Sequence, residues 1–191
     1  MVAGESDVNF LRDGAKAITE KLAHAANAYA FGLLQNVTVS ADVSLSSKAE
    51  FANLFAVADS NGVNPYESVL VLNPTAYSVL LGTMDALVYG GNDGVKRGVI
   101  PGLYGFQDVV CSPYLPDGDV GAIIPYGTFG VASRVNKPAV NGYVSTFTAV
   151  DENGIAIGFR VFEDLAQGKA RFGGDMLFGA AILQPGIVRL R

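Results

Sequence analysis

The chain has 191 residues, and its 13 Lys and Arg against 18 Asp and Glu give a formal net charge of −5 at pH 7. That length suits one domain or two small lobes, and the acidic balance excludes a nucleic-acid binder whose affinity rests on a basic face. Half of the residues are hydrophobic and there are 11 Phe and 8 Tyr, which excludes a disordered chain.

Charged residues make up only 16% of the chain, against roughly 25% in an ordinary soluble domain. A domain normally covers the apolar area it cannot bury with Lys, Glu, Asp and Arg. So few charges predict that part of the surface faces another protein or a membrane. The uncharged runs argue against the membrane. Leu22 to Ala41 holds His24, Asn27, Gln35, Asn36, Thr38 and Ser40, which a lipid-facing span of roughly 20 residues does not tolerate. Ser68 to Met84 is broken by Asn73-Pro74. Met1 to Asp7 lacks the basic start and apolar core of a signal peptide.

In chain order, Val8, Leu11, Ala15, Ile18, Leu22, Ala25 and Tyr29 are spaced alternately by three and four. This predicts one apolar stripe on a long helix, capped at Ser6 or Asp7 and ending near Asn36. Its first half carries Arg12, Asp13, Lys16, Glu20 and Lys21, whereas the half from Leu22 onward has no charge. The expectation is a helix that starts at a surface and ends enclosed by other chain segments. An extended piece follows around Val37 to Val43. Ser47-Lys-Ala-Glu50 then makes a capping box for a helix with Phe51, Leu54, Phe55 and Ala58 inward and Asn61-Gly62 as its stop. Ser68 to Leu72 reads as a short strand, and Asn73-Pro74 as the start of a helix through Leu81. More helix is expected over Thr83 to Tyr89, then a loop at Gly90 to Gly94.

Strands and turns dominate after Val99. Val109 to Ser112, Ala122 to Pro125 and Val144 to Val150 read as strands, with a turn at Pro116 to Asp119. Asp151-Glu-Asn-Gly154 is a hairpin signal between two β-prone runs. Ile155 to Phe162 and Leu177 to Leu183 continue as strands, and Pro185-Gly186 interrupts before Ile187 to Leu190. Helices first and strands later predict an α+β fold rather than alternating βαβ units.

Most reaction classes lack the residues they need. His24 is the sole histidine, and it reads as a solvent or packing residue, since no Ser or Cys motif accompanies it. Cys111 is the sole cysteine, so no internal disulfide can form. It reads as a structural thiol in a strand, with no neighbour to lower its pKa. Gly130-Val-Ala-Ser133 lacks the spacing of a nucleophile elbow. Gly168-Lys169 has no phosphate-binding loop before it, and Gly102-Leu-Tyr-Gly105 reads as turns. Asp117-Gly-Asp119 is short of the ligands a calcium loop needs and reads as a solvated turn. Asp151-Glu152 and Glu163-Asp164 would point to opposite sides of a strand. Asn36-Val-Thr38 fits the glycosylation pattern, by chance in a chain with no secretory signal. The residues therefore nominate no catalytic, cofactor-binding or metal site.

From about Ser68 to the end, the order of motifs resembles the major capsid (coat) proteins of tailed bacteriophages and prophages. The resemblance is carried by Val69-Leu-Val-Leu-Asn-Pro-Thr-Ala-Tyr-Ser-Val-Leu80, by Gly98 to Val110 followed by Ser112-Pro-Tyr-Leu-Pro116, and by Ile157 to Asp164 with Leu177 to Pro185. The helix from Val8 to Leu34 resembles that family's spine helix. The resemblance implies an α+β capsid fold with a long spine helix, a peripheral lobe and an axial lobe. Residues 1–67 would hold the spine helix and peripheral elements, 68–141 the axial-type lobe, and 142–191 the strands returning to the peripheral lobe. It implies no enzyme and no cofactor. It implies instead a virion subunit, assembled in the bacterial host cytoplasm into an icosahedral head that encloses DNA. Its partners would be other copies of itself, with scaffold, portal or decoration proteins as further candidates, and neither a specific nucleic-acid sequence nor a membrane. The family carries an N-terminal arm and a long hairpin loop before the spine helix, whereas only Met1 to Glu5 precede it here. A trimmed chain that forms a monomer or small oligomer is expected on that ground. The alternatives are an encapsulin-like cargo shell and a small-molecule-binding α+β domain or enzyme, the last opposed by the shortage of convergent polar groups.

Overall fold

The computed structural model describes residues 3–83, 99–135, 144–150, 155–164 and 169–191. Helix α1 runs Ala3–Gly32 and tightens into a 3-10 turn at Leu33–Asn36; β1 (Val39–Ala41) follows. Next come α2 (Lys48–Ser60), a 3-10 turn at Pro65–Glu67, β2 (Ser68–Leu72) and α3 (Pro74–Thr83). The remainder is β3 (Val99–Pro101), a 3-10 turn at Leu103–Gly105, β4 (Asp108–Cys111), β5 (Gly121–Pro125) and β6 (Phe129–Arg134). After these lie β7 (Val144–Val150), β8 (Ala156–Asp164), β9 (Lys169–Asp175), β10 (Leu177–Ile182) and β11 (Val188–Leu190). The mixture of helix and sheet is the α+β class expected. Helix α1 starts before Ser6: Ala3 favours helix and acidic residues such as Glu5 suit a helix's first turns, despite Gly4 between them. The expected helix at 84–89, the loop at 90–94 and the turn at 151–154 lie outside the described residues.

Two compact units divide the chain, Met1–Asn27 with Val131–Ala180, and Ala28–Gly130 with Ala181–Arg191. The divisions thus fall at 27/28, 130/131 and 180/181. In the second unit a mixed six-stranded sheet has the order β1-β11-β5-β2-β4-β3. β2 is parallel to β4 and antiparallel to β5, so Leu70 stands opposite both Val109 and Ile123. Successive residues of a strand point to opposite faces, and both faces here are covered. On one, Leu70, Leu72, Val109, Ile123, Val188 and Leu190 join Phe51, Leu54 and Ala58 of α2 and Ala76, Tyr77 and Leu80 of α3. On the other, Ala122 and Ile187 meet Leu34 from the turn that ends α1. Burial on both sides explains why Ser68 to Leu72 is a continuous apolar run instead of an alternating one.

The caps form as the sequence proposes. The Ser47 side chain accepts from the Glu50 N–H, and Glu50 Oε2 accepts from the Ser47 N–H at 2.8 Å and from the Ser46 N–H and hydroxyl. Asn73 Oδ1 accepts from the Ala76 N–H at 2.7 Å, starting α3 at Pro74. The segment Gly102 to Gly105 is a tight loop in which Gly102, Tyr104 and Gly105 all have positive φ. Gly105 is required there: at φ +83 a side chain is strained, and a Cβ would lie 2.7 Å from the Phe55 ring.

In the first unit β7, β8 and β9 form an antiparallel sheet, with Phe147 opposite Phe159 and Phe159 opposite Gly174. Helix α1 reaches this sheet through Ile18. A Cβ on Gly174 would sit 2.4 Å from Ile18 Cγ2, so the helix approaches as closely as it does because that strand position has no side chain. Arg160 and Asp175 lie diagonally across β8 and β9 and form an ion pair at 2.8 Å. β6 and β10 pair with each other in a separate two-stranded sheet. β3, β6 and β9 are strands the sequence reading omits: β3 is three residues ending in a proline, and glycines and charges interrupt the other two.

Candidate functional site

The expectation for Asp117 and Asp119 holds for the first and is corrected for the second. Asp117 is exposed on the turn, but the Asp119 side chain is fully buried. Arg189 Nε donates to Asp119 Oδ2 at 2.6 Å, and Arg189 Nη1 donates to the carbonyls of Val37 at 3.1 Å and Gln35 at 3.4 Å. Arg191 Nε stands 3.7 Å from Asp119 Oδ1. The backbone carbonyl of Asp119 accepts from Asn73 Nδ2 at 2.9 Å. Asp119 and Arg189 together therefore join β11, the turn that ends α1 and, through the Asp119 backbone carbonyl, the start of α3. The physical reason is Arg189, a charged residue in an otherwise apolar interior strand, which requires a buried counter-charge. An arginine inside the run Ile187 to Leu190 was the signal in the sequence. With its carboxylate engaged by arginine, the cluster is a structural tie and not a site for a cation.

The reactive side chains stand apart. Cys111 lies half-buried in β4, and burial pushes its thiol pKa up, which disfavours the nucleophilic thiolate. Tyr77, beside it in the core, is raised as well, first by burial and then by the nearby thiol. His24 is exposed on α1 and borders an open hollow of about 340 Å³ with Ala17, Glu20 and Lys21. These residues share one helix face, and they include no Ser, Cys or Thr for the imidazole to activate. Ser133 Oγ accepts from the Ala156 N–H at 2.8 Å, a strand contact. Among the described residues no group of three His, Cys, Asp or Glu could hold a metal ion. No described helix is long and apolar enough to cross a membrane.

The distinctive chemistry is at the surface. Tyr66, Tyr126 and Leu183 in one unit, and Val131, Val150 and Leu177 in the other, are large apolar side chains between 43% and 66% exposed. The Tyr126 N–H donates to the Glu67 carbonyl and the Leu183 N–H to Thr128, so the first three cluster at one end of the six-stranded sheet. The charge-free second half of α1 corrects a further expectation. Ala30 is buried, but Ala23, His24, Ala25, Asn27, Ala28 and Tyr29 are exposed, Tyr29 at 54%. Among the described residues, none encloses positions 23–25 and 27–29 of this half of the helix. The apolar stripe is half-buried at Ala15, Ile18 and Leu22 and then runs out into solvent.

No family model matches the chain, and no curated protein matches it. Among solved structures it is similar to a chain of the "Capsid structure of the Cyanophage P-SCSP1u", at 16% identity and a TM-score of 0.42. The match covers 80% of this chain and 50% of that one, so this chain spans about half the length of the capsid chain it resembles.

Proposed function

We propose that the chain is a structural subunit of a bacteriophage or prophage capsid, associating with copies of itself into an icosahedral head around DNA. The observation that carries the reading is the second half of α1. A helix with no charge on any side belongs in an interior, yet positions 23–25 and 27–29 of this one are exposed among the described residues, and a neighbouring subunit supplies the missing interior. The low overall charge and the exposed apolar side chains in both units support the same reading. So does the resemblance in motif order: Val69 to Leu80 forms its strand, asparagine cap and helix, and Gly98 to Val110 ends in a tight loop and strand. The chain then does no chemistry of its own, and its partners are further copies.

Sedimentation velocity over a range of concentrations, with negative-stain microscopy, tests the proposal. Concentration-dependent association into small oligomers is the expected result. A strictly monomeric chain at high concentration would overturn it, as would a reproducible turnover lost on His24→Ala or Cys111→Ala.

A further inference from the structure

The two outer strands of the β7–β8–β9 sheet differ in character. β9 reads Lys-Ala-Arg-Phe-Gly-Gly-Asp, and β7 reads Val-Ser-Thr-Phe-Thr-Ala-Val. An outer strand presents a row of unpaired N–H and C=O groups, and proteins guard such rows with charge, distortion or proline. β9 is guarded in this way. β7 has no charge, glycine or proline over seven residues, more than the mean strand of about 5–6. Among the described residues β8 is its one strand neighbour. Thr148, Ala149 and Val150 are exposed, Val150 at 63%.

We propose that β7 is the edge through which two copies of this chain pair, antiparallel and about a two-fold axis at Phe147. The inference rests on the self-associating subunit proposed above and names one of its contact surfaces. Among the described residues no strand pairs with the outer row of β7, and the partner that fills alternating donors and acceptors along seven residues is an extended strand. The sequence of β7 then fixes which strand. Pairing about Phe147 sets Val144 opposite Val150, Ser145 opposite Ala149 and Thr146 opposite Thr148, positions of matching β-prone type with no like charges opposed. Each residue also meets one from the same face of the partner strand, so neither sheet turns its apolar side toward the other's polar side. The same patch serves both subunits, as a closed two-fold contact requires. Pairing with a second copy's β9 would instead set uncharged positions against Lys169, Arg171 and Asp175, and two against Gly173-Gly174, which offer no side chain.

The test uses the full chain and two variants at an exposed position, Thr148→Lys and Thr148→Glu, each checked by circular dichroism for an unchanged thermal midpoint. In the two-fold pairing, position 148 of one copy lies diagonal to position 148 of the other, within reach of long side chains. Each variant alone is expected to weaken self-association up to about fivefold in sedimentation velocity, because like charges are brought together beside the axis. An equimolar mixture of the two is expected to recover parental association, a result that misfolding could not give. If the parent associates and neither variant weakens it, β7 is not the contact, while the self-association reading stands. If the variants weaken association and the mixture does not recover it, the two-fold pairing is overturned. A parent that never associates would overturn both readings.

Discussion

Asp119→Ala removes the buried carboxylate that pairs with Arg189 of β11, and its cost can be worked from the contacts. Arg189 is 9% exposed and Asp119 fully buried, so the variant strands a guanidinium away from water. Removing one partner of such a pair costs about 3–5 kcal/mol. Arg189 would keep the carbonyls of Val37 and Gln35, at 3.1 and 3.4 Å, which places the loss near the lower end, about 3 kcal/mol. Arg189→Met leaves the carboxylate instead. Arg191, 52% exposed with Nε 3.7 Å away, is placed to turn inward and compensate in part, but two carbonyls lose their donor at about 1 kcal/mol each. The two single variants should therefore be similar. Asp119→Leu combined with Arg189→Met removes both charges and should be no worse than either single, since an apolar pair escapes the desolvation cost. At roughly 2–4 °C per kcal/mol for a chain of this size, each single variant should lower Tm by about 6–12 °C. Circular dichroism during heating and urea titration would measure this, there being no tryptophan to follow. If Asp119→Ala stays within about 1 kcal/mol of the parent, or if the double variant loses the sum of the singles, the buried-pair argument is refuted.

Three further outcomes follow from other elements. Gly174→Val should separate α1 from the β7–β8–β9 sheet at Ile18 and destabilise by about 1–3 kcal/mol, a typical overpacking cost, read from the urea midpoint. Tyr29→Asp should change the thermal stability of the isolated chain by no more than about 0.5 kcal/mol, whereas Leu34→Asp, at a position with no exposure, should cost several kcal/mol; equal losses would show that Tyr29 is enclosed after all. Ser47→Ala should cost about 0.5–2 kcal/mol by uncapping α2. The Glu50 carboxyl is held below its ordinary value of 4.5, chiefly by the Ser46 hydroxyl and N–H. Its contribution is thus present above the unfolded pKa and lost as pH falls through the lower folded one, so a urea-midpoint gap between parent and Glu50→Ala should narrow as the pH falls below the ordinary value of 4.5.

What the sequence disclosed was local. The Ser47-Glu50 box, the Asn73 cap and the span Val144 to Val150 depend on neighbours within a few residues, and all three appear where the residues place them. Long-range pairing was hidden. β9, with two glycines, is a strand because β8 offers it a ladder, from Gly158 opposite Asp175 to Asp164 opposite Lys169. The buried role of Asp119 depends on an arginine far along the chain, so the Asp117-Gly-Asp119 turn alone could not reveal it. For α1 the charge pattern was read correctly but the expected enclosure was not found at positions 23–25 and 27–29: periodicity tells which residues avoid charge, but not whether the chain covers them.

The chain's route through its two units has a consequence for how it folds. It leaves the first unit after Asn27, returns at Val131 and leaves again after Ala180, so both are discontinuous in sequence. β11 inserts between β1 and β5, and Val39 finds its partner Arg189 only when the whole intervening stretch has been traversed. Loop closure over such a separation is entropically unfavourable until other contacts have shortened it. The α2–β2–α3 segment and the β7–β8–β9 sheet, built from nearer neighbours, can form early, whereas the strand carrying Arg189 docks late and completes the sheet. Until it docks, β1 and β5 both have open edges, and the incompletely folded chain is at its most vulnerable to pairing with the wrong strand.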